Sequence, residues 1–261
     1  MKALASHTIH PTVIIGDNVA LGRNVTIGAY TIVHDNVMIG DNCTIGPQCI
    51  LGEPLSDFYN SPSYSNPRLT IGKDSLIRAG TILYAGAQVG HNFECGHRVT
   101  IREHSAIADH VRIGTLSDVQ GYCEIGSYSR LHSNVHIGQK AKIGNYVWIF
   151  PYIVLTNDPH PPSNELIGVT IDDCAVVATM VVILPGVHIG QDALVGAMAM
   201  VGTDVPCGAV VVGNPAKQVT TVDQIKSRFS GELVYPWREH FDRGMPWEGL
   251  GYDAWQTAQV S

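Results

Sequence analysis

Between Arg130 and Asp158 the sequence gathers His132, Ser133, Asn134, His136, Gln139, Asn157 and Asp158. The set is rich in hydrogen-bond donors and acceptors, so it suits holding a polar substrate in one orientation. Gln139 can orient an amine but cannot take its proton, whereas an imidazole can deprotonate a hydroxyl. His91 and His97, in the fragment VGHNFECGH, are the candidates for that other chemistry. Cys43, Cys49, Cys95, Cys123, Cys174 and Cys207 form no close pairs, so neither a disulfide nor a zinc site is expected and the thiols read as reduced core residues.

The elements that must position these groups follow from a period of six. Aliphatic markers recur at Ile9, Ile15, Leu21, Ile27, Val33, Ile39, Ile45 and Leu51, resume from Ile71 to Leu155, and run again from Ile171 to Cys207. The residue two before a marker is small or apolar, as at Val25, Cys43, Ala87 and Val99. Two inward side chains per hexad make a short strand followed by a turn, with Gly or Asn expected to supply the corner's backbone angles. An amphipathic helix would repeat every 3.6 residues instead. Three hexads per coil give an all-β solenoid of about ten coils over residues 1–219, in which each coil packs only on its neighbours. Residues one coil apart then stack at about 4.8 Å. This pairs Glu124 with Lys142, Glu94 with Arg112, Tyr84 with Arg102, Asp118 with His136, Gln139 with Asn157 and Ala178 with Gly196.

Two excursions interrupt the ladder. Residues 53–69 (EPLSDFYNSPSYSNPRL) carry Tyr59 and Tyr64, whose rings offer stacking faces for a base. Residues 157–170 (NDPHPPSNELIGVT) form a proline-rich loop at the end of a coil, where loops in compact repeats are often functional. Over residues 220–261, TVDQIKSRF predicts a short helix before an aromatic tail that caps the last coil. A formal charge of -7 without any Lys/Arg run argues against nucleic acid or an anionic membrane as partner. An anionic ligand must then find local positive charge, with Arg78, Arg98 and Arg102 nearest in the ladder. The opening MKALASHTIH lacks the apolar stretch of a signal peptide and no run approaches a membrane span, so a cytoplasmic location is expected.

The repeated V-x-I-G pattern resembles the hexapeptide-repeat acyltransferases, which implies a left-handed parallel β-helix. The period alone gives no handedness, and parallel crossovers are usually right-handed. Within that group RLHSNVHIGQKAKIGNYVWIFPYIVLTNDPHPPS, TIDDCAVVATMVVILPGVHIG, VVVGNPAKQV and the ending YPWREHFDRGMPW resemble the sugar-nucleotide N-acyltransferases that act on dTDP-3-amino-3,6-dideoxyhexoses. The resemblance implies transfer of an acetyl or short hydroxyacyl group from acyl-coenzyme A to the 3-amino group, in the making of lipopolysaccharide or O-antigen sugars. It also implies a homotrimer with sites between subunits, and no bound metal or permanent cofactor.

Carried over by position, the resemblance puts Asn157 and Asp158 at the acceptor amine, Gln139 beside them and His132 near the sugar hydroxyls. Asn134, Arg78, Arg98, Arg102, Tyr59 and Tyr64 fall to the rest of the acceptor. Ala178, Gly196, Asn214 and Lys217 fall to coenzyme A, the two small residues letting an extended pantetheine arm approach backbone N–H groups that could polarise the thioester. Position 139 departs from the pattern, which has a carboxylate there. An amine that arrives unprotonated needs no base, and positioning then supplies most of the acceleration. The alternatives are an O-acyltransferase of the lipid A precursor type, with His91 or His97 as base, and a trimeric zinc β-helix, which needs three histidines shared across subunits.

Overall fold

The computed structural model describes residues 7–260, so MKALAS at the start of the sequence lies outside the described residues. Nearly every strand is two residues long, the first facing outward and the second, the hexad marker, buried. Three parallel sheets result. Face A runs from Thr8–Ile9 to Ala209–Val212, face B from Ile14–Ile15 to Met200–Val201, and face C from Ala20–Leu21 to His188–Ile189. The architecture is an all-β parallel solenoid of about eleven turns, one more than the hexads predict, and is consistent with a left-handed β-helix. The extra turn is the face A strand Ala209–Val212, closed on its outer side by the antiparallel strand Lys217–Thr221.

Markers and the residues two before them fill the interior, as Val99 with Ile101 and Val147 with Ile149, all fully buried. Where the earlier position is a hydroxyl residue it satisfies itself across coils. Ser129 Oγ donates to the Gly144 carbonyl at 2.7 Å and accepts from the Val147 amide at 3.0 Å. A buried polar group is tolerated only with such partners.

Apart from Gly52 (φ 77), where the first excursion leaves, the glycine after the marker does not supply the corner's unusual backbone angle. A Cβ at Gly126 would lie 2.5 Å from the Gly144 carbonyl carbon and 2.6 Å from the Asn145 amide, so this glycine is there to let one coil rest on the next. The left-handed residue comes two places later and is mostly not glycine, as at Asn42 (φ 59), Leu116 (φ 62) and Asn134 (φ 59). Such residues cost about 1 kcal/mol or more each, which the stacked coils on either side hold in place.

The stacking register holds across each coil without an insertion, for example Ile101 with Val119. The excursions displace it without breaking it, since Leu51 pairs with Leu83 and Ile143 with Ile171. Both loops leave at the edge between faces B and C. One correction falls after Val201. Ile189 bridges Val205 and Val195 pairs with Val211, two residues sooner than the period predicts. Cys207 is therefore an exposed turn residue and no ladder marker, while the other five cysteines are buried and free.

The stretch TVDQIKSRF does not form the predicted helix. Within it only Val222–Gln224 makes a single 3-10 turn, because the preceding residues are taken into the strand Lys217–Thr221. The remainder of the tail lies along the side of the rod, against face A and its edge with face C. Trp247 is wholly buried there, Trp237 Nε1 donates to the Cys174 carbonyl at 2.8 Å, and Arg238 pairs with Asp192. Trp148 on face A meets Trp237 and Phe241 edge-on, at 5.7 and 5.6 Å between ring centroids.

Candidate active site

Each coil presents three edges, and most of the acceptor and coenzyme A candidates named above divide between two of them, while His91 lies on the third, between faces C and A. On the edge between faces A and B, His132 is followed one coil on by Phe150, then by Ala178, then by Gly196. The imidazole of His132 stacks on the Phe150 ring at 4.7 Å with 12° between planes. Burial alone pushes its pKa down from the ordinary histidine value, so the ring is neutral at pH 7. Asn134 holds the left-handed corner of the same coil. Ala178 and Gly196 are small at this position on two successive coils, with the exposed Met180 and Met198 at the left-handed corners beside them, and a Cβ at Gly196 would meet Val212 Cγ1 at 2.7 Å, which is a packing reason for that glycine. Asn214 turns at the top of this edge, where the neighbouring Gly213 carbonyl accepts from the Met200 amide. Lys217 is exposed on the antiparallel strand beyond it.

The edge between faces B and C carries Gln139, Asn157 and Asp158. His136 pairs with Val154 and Ile137 with Leu155, so Gln139 and Asn157 hold the same position on adjoining coils. Asp158 is committed to its own loop. One oxygen accepts from the His160 amide at 3.0 Å and the Ser163 hydroxyl at 2.7 Å, the other from the Ser163 amide at 2.9 Å, and these bonds hold its carboxyl below the usual range. The Asn157 carbonyl accepts from Ile167 at 2.8 Å and Lys140 Nζ donates to the Leu166 carbonyl at 3.2 Å, which closes the loop against the rod. Among the described residues the amide groups of Asn157 and Gln139 make no side-chain hydrogen bond, so both are available to a ligand. His132 and Asn157 stand on opposite edges of face B, and one chain does not bring them together.

The remaining acceptor candidates scatter. Arg102 is held by Glu103 at 3.0 and 3.1 Å and lies over Tyr84 at 5.6 Å, so its charge is matched on the spot. Arg98 takes a left-handed corner on the edge between A and B. Tyr64 is an internal anchor of its loop, its hydroxyl donating to Asn66 Oδ1 at 2.6 Å and accepting from the Leu55 amide at 3.0 Å. Tyr59 is 72% exposed and meets the exposed Phe58 edge-on at 5.2 Å, which leaves its faces open to stacking. Arg78 instead reaches a cleft of about 590 Å³ between face A and the tail, lined by Glu94, Arg112, Arg130, His132, Arg243 and Glu248 among others.

Sequence reasoning passed over that cleft and Phe150. Phe150, Arg112 and Arg130 each had a signal in the column spacing, whereas Arg243 arrives from a tail whose path no repeat dictates. His91 is accounted for structurally: its Nδ1 accepts from the Lys73 amide at 3.0 Å and its own amide donates to Asp109 at 2.6 Å. With Nδ1 accepting, the neutral ring's proton sits on Nε2 and no lone pair remains to act as base. The predicted column pairs are met at Glu124 with Lys142 (3.8 Å), Glu94 with Arg112 (3.4 Å) and Asp118 with His136 (3.2 Å). Exposed pairs of this kind contribute at most about 1 kcal/mol each.

Residues 20–53 match the bacterial transferase hexapeptide (six repeats) and residues 186–214 the hexapeptide repeat of succinyl-transferase. A chloramphenicol acetyltransferase of Agrobacterium fabrum is 27% identical over 65% of this chain and 72% of its own length. One of Escherichia coli is 26% identical over 69% of this chain and 81% of its own. A 2,3,4,5-tetrahydropyridine-2,6-dicarboxylate N-acetyltransferase of Staphylococcus aureus is 36% identical over 36% of this chain and 33% of its own. The chain thus carries two matches to hexapeptide-repeat models, and the relatives named here are acetyltransferases.

Proposed function

We propose that the protein transfers an acyl group from acyl-coenzyme A to the amino group of a nucleotide-linked amino sugar, of the dTDP-3-amino-3,6-dideoxyhexose class. Acyl transfer from coenzyme A is the part supported by the relatives. The amino-sugar acceptor rests on the resemblance of the N-D-P loop and the tail. The observation that carries the reading is the edge between faces A and B. There Ala178 and Gly196 put small residues next to face A on two successive coils, flanked by the exposed Met180 and Met198 at the corners, and the column leads to the Phe150–His132 stack, a run of about three coil spacings or 14 Å.

In this reading the pantetheine arm lies along this column, with Asn214 and Lys217 near its nucleotide end. His132 and Asn134 hold the sugar, and the amine comes from Asn157 and Gln139 on the edge between B and C of a second copy. A homotrimer is proposed for that reason, because the two edges of one chain face away from each other across face B. Asn157 orients the amine, and Asp158 positions Asn157 by fixing the loop. The amine lone pair attacks the thioester carbonyl, the coenzyme A sulfur leaves as thiolate, and the amine proton neutralises it. No protein base is needed, which fits a neutral Gln139. The exposed Tyr59 remains available to stack on the acceptor's base.

The test is a mass-spectrometric screen of acetyl-, propionyl- and 3-hydroxybutyryl-coenzyme A against dTDP-linked 3-amino sugars, UDP-amino sugars and chloramphenicol. Acylation of a dTDP-3-amino sugar at a kcat/KM well above that for the others is expected. Acylation of chloramphenicol alone would overturn the reading.

A further inference from the structure

The outward column of face A runs Glu94, Arg112, Arg130, Trp148 on successive coils. Arg112 and Arg130 are thus like charges on directly paired strand positions, an arrangement that opposes folding when nothing lies between them. Glu94 answers only part of this charge, because it is shared between Arg112 at 3.4 Å and Arg78 at 3.2 Å. Arg130 is only 8% exposed, and among the described residues its guanidinium donates to two carbonyl oxygens, those of His110 and Gly244, each at 2.8 Å. Burial first and then Arg112 push its pKa down to about 10, so it stays charged at neutral pH without a carboxylate beside it.

The tail closes over this column and adds a further cation, Arg243, to the cleft already lined by Arg78, Arg112 and Arg130. The acidic residues there are Glu94 and Glu248, and a Glu248 oxygen already accepts from the Gly244 amide at 2.9 Å. His132, neutral, lines the same space at the edge between faces A and B. The protein as a whole is acidic, at -7, so an excess of guanidinium groups concentrated in one recess is not a sample of its surface. Guanidinium is the side chain whose planar fork matches phosphate oxygens in pairs.

We infer that the cleft between face A and the C-terminal tail binds a diphosphate group, held by Arg112, Arg130 and Arg243 and leading toward His132. Arg130 supplies a fixed, buried charge, and the tail's hold on the rod through Arg130 and Gly244 makes the tail part of a binding site. The acyl-acceptor reading above enters only in naming the source of the diphosphate. Both proposed substrates carry one, the sugar nucleotide and coenzyme A, and the chemistry of the cleft is common to them.

The test uses the full chain, with inorganic pyrophosphate, dTDP and coenzyme A as separate probes in titration calorimetry. Each is measured with the native protein, with Arg112→Gln/Arg243→Gln, and with Arg23→Gln, which removes an exposed cation outside the cleft. Arg112 and Arg243 are chosen because they are more exposed than Arg130 and do not pin the tail, so the pair should melt as the native protein does. Pyrophosphate and one of the two nucleotides should bind about 10-fold or more weakly to the double variant, as loss of charge-assisted bonds entails. Their affinity for Arg23→Gln should stay unchanged, since Arg23 pairs with Asp41 and does not line the cleft. Weakening of dTDP assigns the cleft to the acceptor, and weakening of coenzyme A assigns it to the donor. Unchanged affinity of all three probes for the double variant, or no binding of pyrophosphate to the native protein, overturns the inference. Weaker pyrophosphate binding by the double variant, in a protein whose native form acylates no amino sugar, would instead leave the cleft standing and remove the proposed acceptor.

Discussion

Asn157 and Asp158 are neighbours with different work. The carboxylate of Asp158 is taken up by His160 and Ser163, while the Asn157 amide is left for a ligand. Asn157→Ala should therefore lower kcat on the order of 10²-fold with coenzyme A affinity intact, as when orientation is lost. Asp158→Ala should do so together with faster amide exchange across residues 159–167. Normal turnover by Asn157→Ala would end its assignment. His91→Ala should be nearly silent in turnover and lose about 1 kcal/mol of stability, since the Lys73 amide loses its acceptor. A dead His91→Ala enzyme would restore the histidine-base alternative. The His132 ring, buried on Phe150, has its pKa depressed below 6.5, so protonation favours the unfolded chain. Its contribution to stability is present above pH 6.5 and is lost as pH falls from there toward the depressed value. An NMR titration of His132 at or above 6.5 would contradict this. At this scale the sequence made Phe150 findable, one coil from His132. It could not reveal that the His91 ring caps a neighbouring amide, because that depends on which N–H the corner leaves unpaired.

At the scale of coils, the hexad pattern made the strands, their faces and their stacking legible, and both loops fall where the aliphatic markers lapse. Three features escaped for physical reasons. Corner glycines answer the approach of the next coil's backbone, a contact eighteen residues away. The coil after Val201 is shortened, and a spacing argument carries the old register straight through it. The tail finds face A through side-chain packing, for which no repeat exists. The glycine account gives opposite results for two corner changes. Gly126→Ala should lose about 1–3 kcal/mol, since backbone lies in the new methyl's place. Leu116→Gly should be nearly neutral, because relief of the left-handed strain at φ 62 offsets the added freedom of the unfolded chain. Urea denaturation of both variants checks the contrast, and a larger loss for Leu116→Gly than for Gly126→Ala would refute it.

For the whole molecule, the separation of His132 from Asn157 across face B means that the proposed site needs more than one copy. Sedimentation should give a trimer at assay concentration, and turnover should fall on dilution if the trimer comes apart; a fully active monomer would remove the shared site. The resemblance, and no residue count, supplied the trimer and the amino-sugar acceptor, whereas the rod itself could be read from its period. The central claim is that the pocket serves an amine that needs positioning and no base. It is tested most directly by one competition. Equal amounts of a dTDP-3-amino-3,6-dideoxyhexose and its 3-hydroxy analogue are offered with acetyl-coenzyme A, and the products are weighed by mass spectrometry. The account predicts acylation of the amine on the order of 10²-fold or more over the hydroxyl; comparable acylation of both, or acylation of the hydroxyl alone, would contradict it.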